Sequence, residues 1–145
     1  MTATLTALPA CAPGAVPVAV PRPSGGPAQA CRALHAALPP VVDSQDQRDT
    51  RPASRGTAAW GDPAIVLRCG VPRPRGLTRT SQLAVVNGVE WYTKRHAGGY
   101  RFTSTGRVAR VQVTVPGVYA PEVNPLVDLA APVSRAVPRD GRRGP

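Results

Sequence analysis

Aromatic residues, histidine and lysine are scarce in this sequence, and these shortages exclude several kinds of site. Aromatic residues make up 4% of the 145 residues, which leaves little for the stacking platforms that single-stranded nucleic-acid-binding proteins use. Two histidines and three cysteines occur, with no CxxC pair, so the paired spacing of a Cys/His zinc site is missing. No GxSxG or HExxH motif is present. We therefore expect no metal, no other cofactor and no catalytic activity.

Positive charge, in contrast, is abundant. The net charge is +10, from 18 basic and 8 acidic residues, and Lys94 is the single lysine. Basic domains commonly bind nucleic acid by neutralising phosphates. A coding bias towards alanine, proline, glycine and arginine explains the same excess. Because the basic residues are scattered from Arg22 to Arg143 and form no stripe, nucleic acid is not the partner we favour.

A short apolar run at the N-terminus ends in Leu8-Pro9-Ala10-Cys11. Small residues before a cysteine are typical of a bacterial lipobox, in which that cysteine is lipidated. We expect export and lipid attachment at Cys11, with the membrane contacted only through this anchor. The run is shorter than an ordinary signal segment and no basic residue precedes it, so a full signal would extend upstream of Met1. The alternative is that residues 1–26 are a disordered tail.

Composition divides the chain into three parts. Residues 1–26 combine the signal or lipobox remnant with a proline-rich linker, and repeated prolines favour an extended, semi-rigid spacer. Residues 138–145 are rich in proline, arginine and glycine and predict a disordered basic tail. Residues 27–137 are left as one domain of ordinary size.

The first part of this domain predicts a helix, a loop and a buried strand. A helix is expected to open at Pro27, with Cys31 and Leu34 on its apolar face. The polar segment 41–56 predicts a loop. Residues 60–70, WGDPAIVLRCG, form a short apolar run bounded by turn residues, which is typical of a buried strand.

The second part predicts a run of antiparallel strands. Asn87-Gly88 is a strong hairpin signal that places Ala84 opposite Trp91. A two-residue turn at Thr105-Gly106 would then align Phe102 with Ala109. One set of loop lengths brings all the large apolar residues of these strands to one side, and a slip of one residue would expose them.

A second helix is expected to start at Pro125, with Asn124 as its N-cap residue and the proline at the first helical position. Leu126, Leu129 and Val133 follow at helical spacing. The predicted fold class is therefore α+β. It is a two-layer sandwich in which an antiparallel sheet of about four to five strands carries the N-terminal and C-terminal helices on one face.

Several short motifs resemble a family of small actinobacterial proteins of unknown function. They are AWGDPAIVLRCGV (59–71), VNGVEW (86–91), RFTSTGR (101–107), VQVTVP (111–116) and CRAL from Cys31. The members look like predicted secreted proteins or lipoproteins, and the similarity extends over about residues 17–137. This resemblance implies an extracytoplasmic location and a cysteine pair, and it implies no activity.

Cys31 and Cys69 are the two cysteines that we expect to form a disulfide. Each lies on the apolar face of its own predicted element, so the sulfurs would meet if the first helix packs on that side of the sheet. The alternative is a pair of buried free thiols, which would suit a reducing cytoplasm.

The opposite face of the sheet suggests a function. The predicted register exposes Lys94, Arg101 and Arg110 there and places Arg101 opposite Arg110, an unfavourable pairing that an anionic ligand would relieve. Simple solvation of these side chains is the competing explanation. The preferred interpretation is a non-catalytic cell-envelope protein whose partner is an acidic cell-wall polymer or another envelope protein.

Two other functions are kept as alternatives, a basic nucleic-acid-binding protein and a small hydrolase. The residues available to a hydrolase are Asp62, Ser81, Glu90, His96 and Ser104.

Overall fold

A sheet covered on one face by two helices forms the fold, and its α+β class is confirmed. The computed structural model describes residues 14–141; Cys11, the predicted lipid attachment site, lies outside them. The strands are β1 (Val16–Pro17), β2 (Val41–Val42), β3 (Gln45–Arg48), β4 (Thr50–Arg51), β5 (Thr57–Trp60), β6 (Ile65–Cys69), β7 (Leu83–Val86), β8 (Val89–His96), β9 (Gly99–Ser104) and β10 (Val111–Val115). The helices are α1 (Gly25–Ala37) and α2 (Asn124–Ala136), with a short 3-10 helix at Gly117–Tyr119.

The main sheet has the strand order β2-β3-β5-β6-β10-β9-β8-β7, and each strand in it is antiparallel to its neighbours. A separate small ladder joins β1 and β4 in parallel. We call the face that carries the helices the inner face and the opposite one the outer face. Strand β6 lies in the interior of the sheet, between β5 and β10.

The main sheet has eight strands, so the predicted four to five is wrong. The polar segment 41–56, expected as a loop, contributes β2 and β3, and β5 follows directly after it. Asp43 and Ser44 join β2 to β3 with positive φ values of 47° and 62°, which a two-residue turn needs. β3 then places Gln47 opposite Trp60 of β5. Because β3 lies near the sheet edge and stays partly in water, all its residues are polar, and it carries no alternating apolar signal.

The predicted hairpin at Asn87-Gly88 is confirmed, with Ala84 opposite Trp91. Asn87 and Gly88 have φ values of 46° and 83°, the left-handed conformation of this turn type. β8 and β9 pair so that Trp91 and Phe102 lie on the same face, as the pattern predicted.

The predicted turn at Thr105-Gly106 is wrong. Phe102 lies opposite Val113 rather than Ala109, and the connection between β9 and β10 is six residues long. The pairing is therefore displaced by four residues from the predicted one. Because four is an even number, the same side chains still point to the inner face, which is why the predicted core survives the error.

This longer connection pairs with the end of the chain. Val108 N–H donates to Pro138 O at 3.0 Å, and Asp140 N–H donates to Gly106 O at 2.9 Å. The described part of the predicted tail, residues 138–141, thus has backbone partners in the β9–β10 connection. The sequence shows no periodicity there because the pairing is made by backbone groups.

The inner face and both helices share one hydrophobic core. α1 begins at Gly25, two residues before the expected start. The second predicted helix is present as α2, but Asn124 is its first helical residue and Val123 is the N-cap, so the expected N-cap is wrong by one residue. The fully buried side chains of this core include Leu34, Trp60, Ile65, Leu67, Val89, Trp91, Val111, Val113, Val115, Leu126, Leu129 and Val133. Strand alternation and helical period both place these residues inward.

The proline-rich segment ahead of α1 lies against the outer face. We call residues 14–23 the strap. Val16 N–H donates to Asp49 O at 2.8 Å, and Val16 and Val18 pack with Ala59 in a second, smaller hydrophobic cluster. The two valines alternate with residues that need no inward contact, so an extended chain can bury both. In contrast to the expected disordered spacer, this part of the segment is bound to the domain.

The strap reaches the helical side of the sheet by passing the end of β6. Gly70 has a φ of 88°, and a side chain at this position would overlap Pro23. Only glycine adopts this conformation at little cost and leaves room for the proline. Ser24 then precedes α1 as its N-cap residue.

A disulfide between Cys31 and Cys69 links α1 to β6, with a Cα–Cα distance of 5.6 Å. The two residues are 3% and 1% exposed, so the bond lies inside the core. The predicted bond is therefore present. Separately, neither helix within residues 14–141 combines the length and the apolar character needed to cross a bilayer.

We expect that replacing Cys31 and Cys69 by alanine lowers the free energy of unfolding by about 3–4 kcal/mol, because the bond closes a loop with a sequence separation of 38. Urea unfolding of the oxidised protein and the double variant measures this difference. The control is Cys11→Ala, which should leave the urea midpoint unchanged. A double variant as stable as the parent would show that the bond contributes no stability.

Candidate anion-binding surface

Three basic side chains lie on the outer face, on β6, β9 and β8, next to the part that the strap covers. Lys94 of β8 is the direct cross-strand partner of Arg101 of β9. Arg68 of β6 is near enough for the charge of Arg101 to lower its pKa. We call Arg68, Lys94 and Arg101 the cationic surface. Strand alternation places Lys94 and Arg101 on the face opposite to the buried Trp91 and Phe102. Sequence reasoning did not single out Arg68.

Arg101 is held in place by neutral neighbours. Its Nε donates to Thr114 Oγ1 at 3.3 Å, and its Nη2 lies 3.1 Å from His96 Nε2. Since a guanidinium can only donate, His96 accepts through an unprotonated Nε2 in this arrangement. These contacts orient the guanidinium and leave its charge uncompensated.

Arg68 is fixed between the strap and β10. Its Nε donates to the carbonyl of Ala19 in the strap at 2.7 Å, and its Nη1 donates to Gln112 Oε1 at 3.1 Å. Burial lowers the pKa of Arg68, and the charge of Arg101 lowers it further. Both effects disfavour the charged state, so a nearby anion would be favoured here.

Arg110 lies apart from this surface. Its carbonyl accepts from Gly70 N–H at 2.8 Å, just before β10 begins, whereas Arg101 is opposite Thr114. Four residues of extended chain correspond to about 13 Å. The expected Arg101–Arg110 pairing is therefore wrong, and the like charge that Arg101 does face across the strands is Lys94.

The acidic residues that could neutralise these cations are largely absent from the surrounding chain. Within residues 63–121 there are nine basic residues and one acidic residue, Glu90, which leaves nine basic and seven acidic residues elsewhere. Throughout residues 14–141, no carboxylate lies within 4.0 Å of the charged nitrogens of Arg68, Lys94 or Arg101. The acidic count was the signal that sequence reasoning missed, because attention to the basic residues alone showed only scatter.

The five residues available to a hydrolase have separate partners. Ser104 is fully buried, and its Oγ accepts from Val111 N–H at 2.8 Å. Ser81 Oγ accepts from Thr78 N–H at 2.9 Å in the loop before β7. His96 contacts Arg101, as described above.

The two carboxylates of that set are also engaged elsewhere. Glu90 accepts from Thr105 Oγ1 at 3.5 Å, and Asp62 lies 3.9 Å from Arg48. Within the described range, neither serine has a hydrogen bond to His96. Residues 14–141 also contain no group of three or more His, Cys, Asp or Glu side chains that could hold a metal ion.

A protein-family model described as "Protein of unknown function (DUF3515)" matches residues 2–141. No curated protein and no solved structure matches the chain significantly. The family match covers the sheet, both helices and every residue of the cationic surface, and it assigns no activity to any of them.

Lys94→Gln is expected to raise the free energy of unfolding by about 0.2–1 kcal/mol at low ionic strength, because like charges directly opposite each other are destabilising. The gain should vanish near 1 M salt, where the screening length falls to about 3 Å. Urea unfolding at both salt concentrations measures it. Arg32→Gln on α1, which also removes an exposed charge, corrects for the net charge. Equal effects of the two variants would contradict a local repulsion.

Proposed function

The chain belongs to the DUF3515 family of proteins of unknown function, and we propose that it is a non-catalytic, extracytoplasmic protein that binds an acidic polymer of the cell envelope. The binding element in this proposal is the cationic surface, without Arg110. The observation that carries the proposal is the direct Lys94–Arg101 pair, which forms no ion pair with any carboxylate of residues 14–141.

Uncompensated cations on a sheet surface suit a polyanion for a physical reason. Each such charge is screened by water and salt, so a single small anion gains little from it. A polymer with repeated negative charges engages several cations at once and releases their counterions, so its binding is stronger and falls with salt. Weak, salt-sensitive retention on the envelope is the expected behaviour.

The proposed location is supported by the cysteine pair. Disulfides persist mainly in oxidising compartments, and the bond between Cys31 and Cys69 is fully formed and buried. Lipid attachment at Cys11 is part of the same proposal. Gly14 is held by the domain, because Arg48 Nη2 donates to its carbonyl oxygen at 2.7 Å. The reach from the lipid to the domain would then be about 10 Å at most.

We expect the double variant Lys94→Gln/Arg101→Gln to be eluted from purified cell wall at lower salt than the parent protein. The comparison is a salt gradient from about 50 mM to 500 mM, over which electrostatic contacts weaken steeply. The matched control is Arg32→Gln/Arg135→Gln, which removes two exposed charges from the helices on the opposite face. A double-stranded DNA column is run in parallel.

Coelution of the two double variants from cell wall would show that net charge alone governs retention and would contradict the proposed surface. Retention on DNA but not on cell wall would point to nucleic acid as the partner instead.

A further expected outcome concerns location. Protein expressed from its natural gene should fractionate with the cell envelope, carry the Cys31–Cys69 bond and, if lipidated, show the added mass at Cys11. Intact mass spectrometry of each fraction, with and without reductant, provides the measurement. Cytosolic protein with both core cysteines reduced would contradict the proposed compartment. The Cys11→Ala variant serves as the control for the lipid.

A further inference from the structure

A wide cleft lies away from the cationic surface, between the end of α1 and the segment that joins β3 to β5. Its volume is about 1030 Å³, at the upper end of the range for small-molecule sites. His35 of α1 forms one side, Gln47 of β3 another, and Ala15 at the start of the strap a third. Three distant parts of the chain therefore meet around one concave site.

The floor of the cleft is formed by small, buried side chains. Thr57 and Ala58 of β5 line it, and each is 2% exposed. Thr57 Oγ1 lies 3.0 Å from Thr50 Oγ1, so the two hydroxyls satisfy each other. Small side chains on a buried strand leave the depth that a ligand would fill.

The rim of the cleft carries unpartnered polar groups. Arg51 and Arg55 are exposed, and in the described part of the chain neither side chain has a hydrogen bond or an ion pair. The side chains of His35, Gln47 and Asp49 likewise form no hydrogen bond or ion pair within residues 14–141. Arg51 and Arg55 provide two permanent positive charges for an acidic group of a ligand. The rim also offers both donors and an acceptor for hydroxyl groups.

The composition of the lining limits the class of ligand. Among the described residues that line the cleft none is aromatic, so a flat apolar molecule has no ring there on which to stack. Asp49 would repel a molecule that is negative throughout, but its carboxylate is a good acceptor for hydroxyls. A ligand with one acidic end and a hydroxyl-rich body meets both conditions.

We propose that this cleft binds an acidic saccharide unit, a sugar phosphate or a uronic acid, with its acidic group on Arg51 and Arg55 and its hydroxyls towards Gln47 and Asp49. The site uses no residue of the cationic surface, so it does not depend on the function proposed above.

The test is calorimetric titration of the full chain with glucose 6-phosphate and with glucuronate, compared with glucose and with inorganic phosphate. Both acidic sugars should bind saturably. Glucose and phosphate should each bind at least about tenfold more weakly, because each lacks one of the two recognised features. The two acidic probes distinguish a phosphate from a carboxylate as the preferred acidic group.

Arg51→Gln/Arg55→Gln should weaken binding of the acidic sugars by about tenfold or more, because two charge-assisted hydrogen bonds are lost. Its urea midpoint should match the parent's, since both side chains are exposed and neither forms a hydrogen bond or an ion pair within residues 14–141. Lys94→Gln/Arg101→Gln is the control and should bind the sugars unchanged. Phosphate binding as tight as that of glucose 6-phosphate, glucose binding as tight as glucuronate, unaltered binding by the Arg51/Arg55 variant, or no saturable binding would each overturn the proposal.

Discussion

The fold depends on a single constraint, the enclosure of β6 on both faces by one continuous stretch of chain. Residues 14–37 cross the outer face as the strap, pass Gly70 at the end of the strand, and return along the inner face as α1. The Cys31–Cys69 bond then fastens the returning helix to the strand it has encircled. Val66 of β6 packs with the strap on the outer face, and Ile65 and Leu67 pack in the core shared with the helices. Arg68, which also points outward, instead donates to the strap carbonyl of Ala19.

This enclosure determines which part of the outer face stays open. The strap covers β5 and β6, where Ala59 is completely buried. The strap contacts β4, β5 and β6, and within residues 14–141 neither Lys94 nor Arg101 has an ion pair with a carboxylate. The cationic surface adjoins the area that the strap covers. Arg68 lies at this boundary, where it donates to the strap carbonyl of Ala19. Repulsion on this surface costs little compared with the core beneath it.

The helices, the hairpin and the inward side chains could be predicted because each follows from a repeating apolar pattern. Strand β3 could not, since its stability comes from backbone pairing and its side chains are polar throughout. Residues 138–141 are likewise held by backbone hydrogen bonds. The strap does bury Val16 and Val18, but its repeated prolines predicted an extended spacer and not a segment bound to the sheet. The β9–β10 register was predicted wrongly because Thr105-Gly106 is typical of a two-residue turn, whereas both residues belong to a six-residue connection. For the candidate surface, Lys94 and Arg101 followed from strand alternation, whereas Arg68 required knowledge of which strands are neighbours.

The strap also links the two candidate sites physically. Its first residues form one wall of the cleft through Ala15, and its carbonyl at Ala19 positions Arg68 on the cationic surface. Arg48 anchors the start of the strap through Gly14 and contacts the β5–β6 turn through Gly61. The strap is thus held at several points between the sites, and its two valines are too deeply buried to leave the sheet without exposing Ala59. A segment rich in proline suits this role because it loses little conformational entropy when it is bound in an extended form. The low aromatic content of the chain has the same physical consequence at both sites, since charge and hydrogen bonding, rather than stacking, are what each can offer a ligand.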